Sequence, residues 1–292
     1  MARWIVFSGG NGRGAYQAGF LQAAVNRGIR FDAAAGISVG AINAAGVAVG
    51  AIPELIHMWA TVEESQIIKR QSLFKFIRKV LVGRLPFTKP ITGQNDTSRL
   101  RETLRDFFGG RTLEMPLYCG RLDLVKALYV DVVEESTLID AVFRSTIVPV
   151  KMRADVSGSS LWVDGGVENV TPLRRVVDSG QHGDEVFIVL NMSRGTRPKP
   201  LDKEAKKADA IDILTGTIDY LVDRQFINDV RTFLDRNELA QRGDGSYKWF
   251  KTHVIEPSEP LGSGDDYSRK ALDRRLEIGR KDAAKYFFDN EF

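Results

Sequence analysis

Residues 33–50 read AAAGISVGAINAAGVAVG, and the pentad at their centre, Gly36-Ile37-Ser38-Val39-Gly40, decides how the rest of the chain is read. G-x-S-x-G is the pattern of a strand that turns sharply into a helix. The turning serine takes a strained backbone conformation that lifts its hydroxyl clear of the sheet. Glycines two residues to either side keep side chains from colliding across so tight a corner. Phe31 to Gly36, just before, is short, small and apolar, as a buried parallel strand is. An Ala/Gly-rich helix follows, starting at the serine, so its amide dipoles favour negative charge developing there. Five residues alone carry little weight; the strand-turn-helix context is what gives them meaning.

The run from Ala33 to Pro53 carries no charge and is long enough to span a bilayer. Its composition argues otherwise. It is mostly Ala and Gly, contains Ser38 and Asn43, and is flanked by Asp32 and Glu54 rather than Lys or Arg. A span is driven into the membrane by Leu, Ile, Phe and Val. The reading is therefore an elbow and helix packed on a sheet.

Upstream, Arg3 to Ser8 reads as a first buried strand. It runs into a glycine-rich turn, Gly9-Gly10-Asn11-Gly12-Arg13-Gly14, and then a helix ending at Gly28. Successive backbone N–H groups at a helix N-terminus make an anion site. Two functions compete for it. Gly10-x-Gly12-x-x-Ala15, with Asp32 about twenty residues on, fits a dinucleotide fingerprint. That acid should end the second strand, however, and Asp32 begins it. The other function is an oxyanion hole facing Ser38.

Downstream, Pro53 opens a helix (PELIHMWATV). Residues 69–89, KRQSLFKFIRKVLVGRLPFTK, hold seven Lys/Arg and no acid. Leu73, Phe76, Ile77, Val80 and Leu81 recur there at helical spacing. Such a helix can lie on an anionic bilayer, as a peripheral membrane contact, or pack as a lid on its own domain. Thr92 to Asn95 reads as a loop, with Asp96 or Thr97 capping a helix through Phe108. Residues 117–133 read as two adjoining strands, Ser136 as the cap of a helix that stops before Pro149, and 154–160 as a polar turn. A short strand, Leu161-Trp162-Val163, then delivers Asp164-Gly165-Gly166. An acid at a strand end beside two glycines is either a presented catalytic carboxylate or an ordinary turn. Residues 185–191 form another core strand. A long helical region runs from Lys203 to about Gln241, with Ile211, Leu214, Ile218, Leu221, Ile227, Val230 and Leu234 on or near one packing face. A last strand (247–255) and a charged helix (268–290) follow.

Bulk properties exclude little. The chain has 292 residues, a net charge of +3 and a single cysteine, Cys119. That leaves no disulfide framework and no Cys-based metal site. The modest charge gives no reason to expect nucleic acid. The N-terminus runs almost directly into Trp4-Ile5-Val6-Phe7, without a signal peptide. A cytoplasmic protein, peripheral at a membrane if anywhere, is expected.

Taken in order, GGNGRGAYQAG at 9–19, GISVG at 36–40, RSTIVPV at 144–150 and DGG at 164–166 resemble the patatin-like phospholipase family. The resemblance covers about residues 4–190. It implies a three-layer α/β/α fold with a mainly parallel central sheet, here one domain over 1–292 whose segment from about 200 is a helical completion. It also implies hydrolysis of lipid acyl esters by a Ser–Asp dyad without histidine or cofactor. By position, Ser38 is the nucleophile in an elbow of Gly36, Ile37, Val39 and Gly40, and Asp164 is the base, followed by Gly165 and Gly166. The turn Gly9, Gly10, Asn11, Gly12, Arg13, Gly14 supplies the oxyanion hole. Asn11 stands where the family often has a third consecutive glycine; if φ is positive there, Asn is the best-tolerated substitute. Val170 stands where the family frequently has Asn, which here sits one earlier, at Asn169.

A carboxylate near its usual pKa of about 4 is a weak base, so a dry site must assist it. Backbone donors must then carry much of the rate, at roughly 3–4 kcal/mol each. Three alternatives stay open. One is a Ser–Asp–His esterase or thioesterase using His182 or His253, which follow Ser38 and Asp164 in that order. The others are a nucleotide-binding protein built on the glycine turn and a lipid-binding relative without catalysis.

Overall fold

Side chains of the first strand, β1 (Arg3–Phe7), alternate between two cores and so set up three layers. Ile5 and Phe7 point into one, Trp4 and Val6 into the other. The computed structural model describes residues 1–67, 93–195 and 210–292. The basic stretch 69–89 and the start of the long helical region, from Lys203, lie outside the described residues.

After β1 come α1 (Gly14–Asn26), β2 (Ala33–Gly36), α2 (Val39–Ala48), α3 (Ile52–Thr61), opened by Pro53 in its first turn, and the short α4 (Glu64–Ile67). Next are β3 (Gly93–Asn95), α5 (Ser98–Phe108), β4 (Leu117–Asp123), β5 (Leu128–Val132) and α6 (Leu138–Ser145). Then follow β6 (Val150–Met152), β7 (Asp155–Ser157), β8 (Ser160–Asp164), α7 (Leu173–Ser179) and β9 (Glu185–Val189). The chain closes with α8 (Ala210–Gln241), β10 (Lys251–Ile255) and α9 (Arg269–Asp289).

The main sheet runs β10-β9-β1-β2-β4-β8-β7, with β5 paired to β4. From β10 to β4 every pairing is parallel; β5, β8 and β7 add antiparallel edges. Residues of α1, α2, α3, α5, α6 and α9 form the core on the Ile5 side, and those of α7 and α8 the core on the Trp4 side. This is the three-layer α/β/α arrangement with a mainly parallel sheet.

Several local expectations need correction. Thr92 to Asn95 is not simply a loop, because Gly93–Asn95 pairs in parallel with Val150–Met152. The polar turn at 154–160 is a hairpin: Asp155–Ser157 pairs with Ser160–Asp164 about Gly158, whose φ of +57° suits glycine. Ser136 does not cap α6, since Glu135–Thr137 is a 3-10 turn and the helix proper begins at Leu138. Ahead of α5, Asp96 rather than Thr97 supplies the side-chain acceptor, taking the Ser98 N–H at 2.9 Å. The last strand is shorter than expected at its start, because the Phe250 N–H goes to Asn237 Oδ1 at 2.7 Å instead of to a strand. Of the face expected in α8, Val230 is buried and Ile227 and Leu234 pack partly against the core, joined by Phe226 and Phe233, whereas Leu214 and Leu221 are half exposed or more.

Candidate active site

The elbow follows from two close approaches. A Cβ on Gly36 would lie 2.1 Å from the Gly40 carbonyl oxygen, and one on Gly40 would lie 2.5 Å from that of Phe7. Between them Ser38 sits at φ 56°, ψ −126°, a conformation rare for a non-glycine residue, and caps α2. Its main-chain N–H donates to Ser145 Oγ at 3.0 Å. That amide is therefore spent on α6 and is unavailable to substrate.

Strand register brings the acid to the serine. Gly36 pairs with Cys119 of β4, and Asp164 at the end of β8 pairs with Arg121 of β4. Two residues beyond Gly36, Ser38 thus stands level with Asp164 across β4. The intervening residue, Gly120, has no room for a side chain. A Cβ there would meet Ile37 Cδ1 at 2.3 Å and Tyr129 Oη at 2.1 Å, and one on Gly165 would meet the Gly120 carbonyl carbon at 2.4 Å. Sequence reasoning missed Gly120, although a lone glycine inside the strand LYCGRLD signals a close backbone approach.

Asp164 is 4% exposed. Burial pushes its carboxyl up to about 7, while a hydrogen bond from the Gly166 N–H (2.7 Å) and the nearby Ser38 hydroxyl favour the ionised form and pull it back. Ser38 and Asp164 are neighbours that line one pocket.

The glycine turn is more selective than its composition suggests. Gly9 N–H donates to Val170 O at 3.0 Å, Gly12 N–H to Gly264 O at 2.9 Å and Arg13 N–H to Gly10 O at 3.1 Å. Gly14 N–H donates to the carbonyls of Asn11 and Gly12. Of the six expected oxyanion residues, Gly10 and Asn11 alone keep N–H groups that donate to no acceptor among the described residues. Asn11 has φ +53°, the conformation Asn tolerates well. Val39 N–H, first in α2 and next to the serine, is a third candidate donor. Asn191 fixes the turn from behind, donating from Nδ2 to Ser8 O at 2.9 Å and leaving no space for a side chain at Gly10.

A second unforeseen group is Asp229 on α8. Its Oδ2 accepts from Val170 N–H (2.7 Å) and Thr171 N–H (3.0 Å), and its Oδ1 from Gln225 Nε2 (2.6 Å). Burial raises its pKa to about 6 against those hydrogen bonds. Val170 in turn receives Gly9, so the displaced asparagine motif leaves a firmly anchored loop. Asn169 lies near Tyr129.

Ser38 opens on a groove whose two sides share Asn11, Val148 and Lys151. One side is apolar, walled by Val39, Ile42, Trp59, Val62, Leu100 and Leu104. The other sets Arg13, Lys151, Asp164, Asp219 and Asp223 among Ile37, Val148, Pro149, Val170, Met192, Ile218 and Val222. No histidine lines either side among the described residues. His253 lies on β10, bonded to Glu185 (2.9 Å) and Tyr286 (2.8 Å), and His182 sits beside Trp249, where its Nδ1 accepts the Trp249 N–H.

The sequence model of the patatin-like phospholipase family matches residues 5–177. No curated protein matches the chain. Among solved structures, VipD from Legionella pneumophila aligns with a TM-score of 0.45 at 13% identity, covering 99% of this chain and 67% of that one. A likeness that slight transfers nothing further. No described helix is long and apolar enough to cross a membrane.

Proposed function

The chain belongs to the patatin-like phospholipase family, and from that premise we propose that it cleaves carboxylic esters of lipids through Ser38 and Asp164, by way of an acyl-enzyme. Membership supports lipid acyl hydrolysis in general. The finer reading rests on one observation: Ser38 lies beside a buried carboxyl that burial pushes up to about 7. At that value the carboxylate is a far better base than an ordinary aspartate, yet it is ionised in a large fraction of molecules at neutral pH.

In the first half-reaction Ser38 Oγ attacks the ester carbonyl carbon as its proton passes to Asp164. The carbonyl electron pair moves onto oxygen, where the N–H groups of Gly10, Asn11 and Val39 are the available donors. Collapse breaks the acyl C–O bond, and Asp164 returns its proton to the departing alcohol. A water then repeats the sequence on the acyl-enzyme. Asp164 takes the water proton and finally hands it to Ser38 Oγ as the fatty acid leaves. We read 1–292 as one domain, because α8 and α9 share the two cores with the strands that carry the site.

The test is fatty-acid release from a lipid panel, measured by mass spectrometry, with a fluorophosphonate probe to label the nucleophile. Ser38→Ala and Asp164→Asn should each lose on the order of 10³-fold or more in kcat, and the probe should attach to the peptide bearing Ser38. Release that persists in Ser38→Ala would overturn the reading.

A further inference from the structure

The family match ends at residue 177, yet the glycine turn is held by residues far beyond it. Gly264 O accepts the Gly12 N–H at 2.9 Å. Asp265 Oδ1 accepts from Asn11 Nδ2 at 3.0 Å, and Gly262 O accepts from Arg13 Nε at 3.0 Å. Three consecutive residues of the turn are thus tied to one loop, 261–266, which belongs to no helix or strand.

Such a loop needs an outside scaffold to keep its shape. Arg275 on α9 provides one. Its Nε donates to Leu261 O at 2.9 Å, its Nη2 to Ser263 O at 2.6 Å and its Nη1 to Asp266 O at 2.7 Å. A guanidinium is a planar fork with donors in fixed directions, so it sets the three carbonyls relative to one another. The two sets of contacts alternate. Residues 261, 263 and 266 face the arginine, and 262, 264 and 265 face the turn. Helix α9 is itself referenced to the turn, because it lies backbone to backbone on α1, whose first residue is Gly14. A Cβ on Gly19 would lie 2.1 Å from Leu276 O, and one on Gly279 1.9 Å from Tyr16 O.

Arg275 is 1% exposed. Burying a charge is costly even when it is fully hydrogen-bonded, and neutral groups could tie a loop for less. The acceptors here are carbonyls rather than carboxylates, so they hold the cation without neutralising it. It stands directly behind the turn, where a Cβ on Gly12 would lie 2.9 Å from Nη1. A fixed positive charge behind N–H donors favours the electron-rich oxygen that forms in front of them.

We propose that Arg275 is a positioning residue for the oxyanion donors, acting through loop 261–266 to hold the N–H groups of Gly10 and Asn11 at the spacing a tetrahedral oxygen needs. The inference rests on the acyl-hydrolase reading above and adds to it a residue outside the family-matched span. Arg275 lines neither side of the groove. Its loss should therefore be felt in the transition state and hardly at all in ground-state binding.

The experiment measures kcat and KM on p-nitrophenyl butyrate for wild type, Arg275→Met and Arg275→Lys, with active sites counted by fluorophosphonate titration. Inhibition by an alkyl trifluoromethyl ketone, whose carbonyl oxygen becomes an oxyanion when Ser38 adds to it, is measured alongside. Arg275→Met should lose on the order of 100-fold in kcat per active site, with KM nearly unchanged and the ketone weakened in proportion. Arg275→Lys keeps a cation without the fork and should recover part of that loss. A purely structural arginine would lower the urea midpoint and the number of active sites but leave kcat per site at the wild-type value. That result would overturn the proposal.

If the arginine variants do not fold, Gly264→Ala decides. Its Cβ would lie 2.9 Å from Gly10 O, so it should displace the turn and cut kcat roughly 10-fold or more; an unchanged kcat would count against the loop and the arginine alike. A second arm separates this failure from failure of the hydrolase reading: hydrogen exchange at the Gly12 amide, read by NMR. Faster exchange in Arg275→Lys or Gly264→Ala, with no ester cleaved by wild type, would keep the tie and sink the chemistry. Cleavage with kcat per site unmoved by the variants would do the reverse.

Discussion

The main-chain amide of Ser38 is held by the hydroxyl of Ser145, 3.0 Å away on α6. Ser145 is fully buried. The strained elbow is thus tied to a helix that also precedes the strand pair leading to Asp164, so nucleophile and acid are referred to one anchor.

Ser145→Ala should leave that amide buried and unpaired. The expected loss is about 1–3 kcal/mol of stability, read as a lower midpoint in urea. Activity should fall further than stability alone explains, because the serine is freed to leave its unfavourable conformation.

The pH dependence follows from Asp164. Its folded pKa of about 7 lies above the 3.8 of an ordinary aspartate. Between pH 4 and 7 the folded chain keeps a proton that the unfolded chain has lost, so this group's contribution to stability falls as pH rises through that window and is level beyond it. Activity runs the other way: kcat/KM should climb through about pH 7 and flatten above. Asp164→Asn should therefore be inactive yet gain stability relative to wild type at pH 8 and not at pH 4, as denaturation at the two pH values would reveal.

Asp229 receives two loop amides, and one of those residues in turn holds Gly9. Asp229→Ala should cost about 1–3 kcal/mol for each stranded N–H. Asp229→Asn, which keeps an acceptor oxygen, should be milder. Both should lower kcat more than they raise KM, since the glycine turn rather than the groove walls would shift; steady-state kinetics on p-nitrophenyl butyrate separates the two.

Val62 is buried on the apolar wall. Val62→Phe should narrow that side and cut hydrolysis of p-nitrophenyl palmitate relative to the butyrate by roughly 10-fold or more, the scale of a misfitting methylene. A ratio unchanged from wild type would place the chain elsewhere.

His253 bonds Glu185 and Tyr286 on the β10 side of the sheet. His253→Gln should lower stability by about 0.5–1.5 kcal/mol per lost bond and leave lipid hydrolysis at the wild-type rate. A loss of activity in the folded variant would revive the triad alternative.

What could be read from the chain beforehand was whatever is local. The elbow at Ser38, the positive φ at Asn11 and the strand-borne Asp164 each announce themselves within a few residues, because backbone constraint at a turn selects Gly, Asn or Asp on the spot. Contacts made by distant segments leave no such trace. Asp229 reads as one more polar residue of a helix until α8 is laid against residues 170–171. Ser145 is indistinguishable from any serine near a helix end. The half-exposed Leu214 and Leu221 match the helical period as well as the buried Val230 does, since periodicity records a face and not what covers it. Whether an N–H in the glycine turn is free depends on Gly264 and Val170, far away in sequence.

The bond from Asp229 to residues 170–171 has a bearing on biosynthesis. A nascent polypeptide emerging in order would possess the elbow serine and the aspartate well before α8 exists to hold the loop on which Gly9 rests. Until that helix docks, the glycine turn lacks its support. On the reading proposed above, competence thus arrives late, with the closing segment.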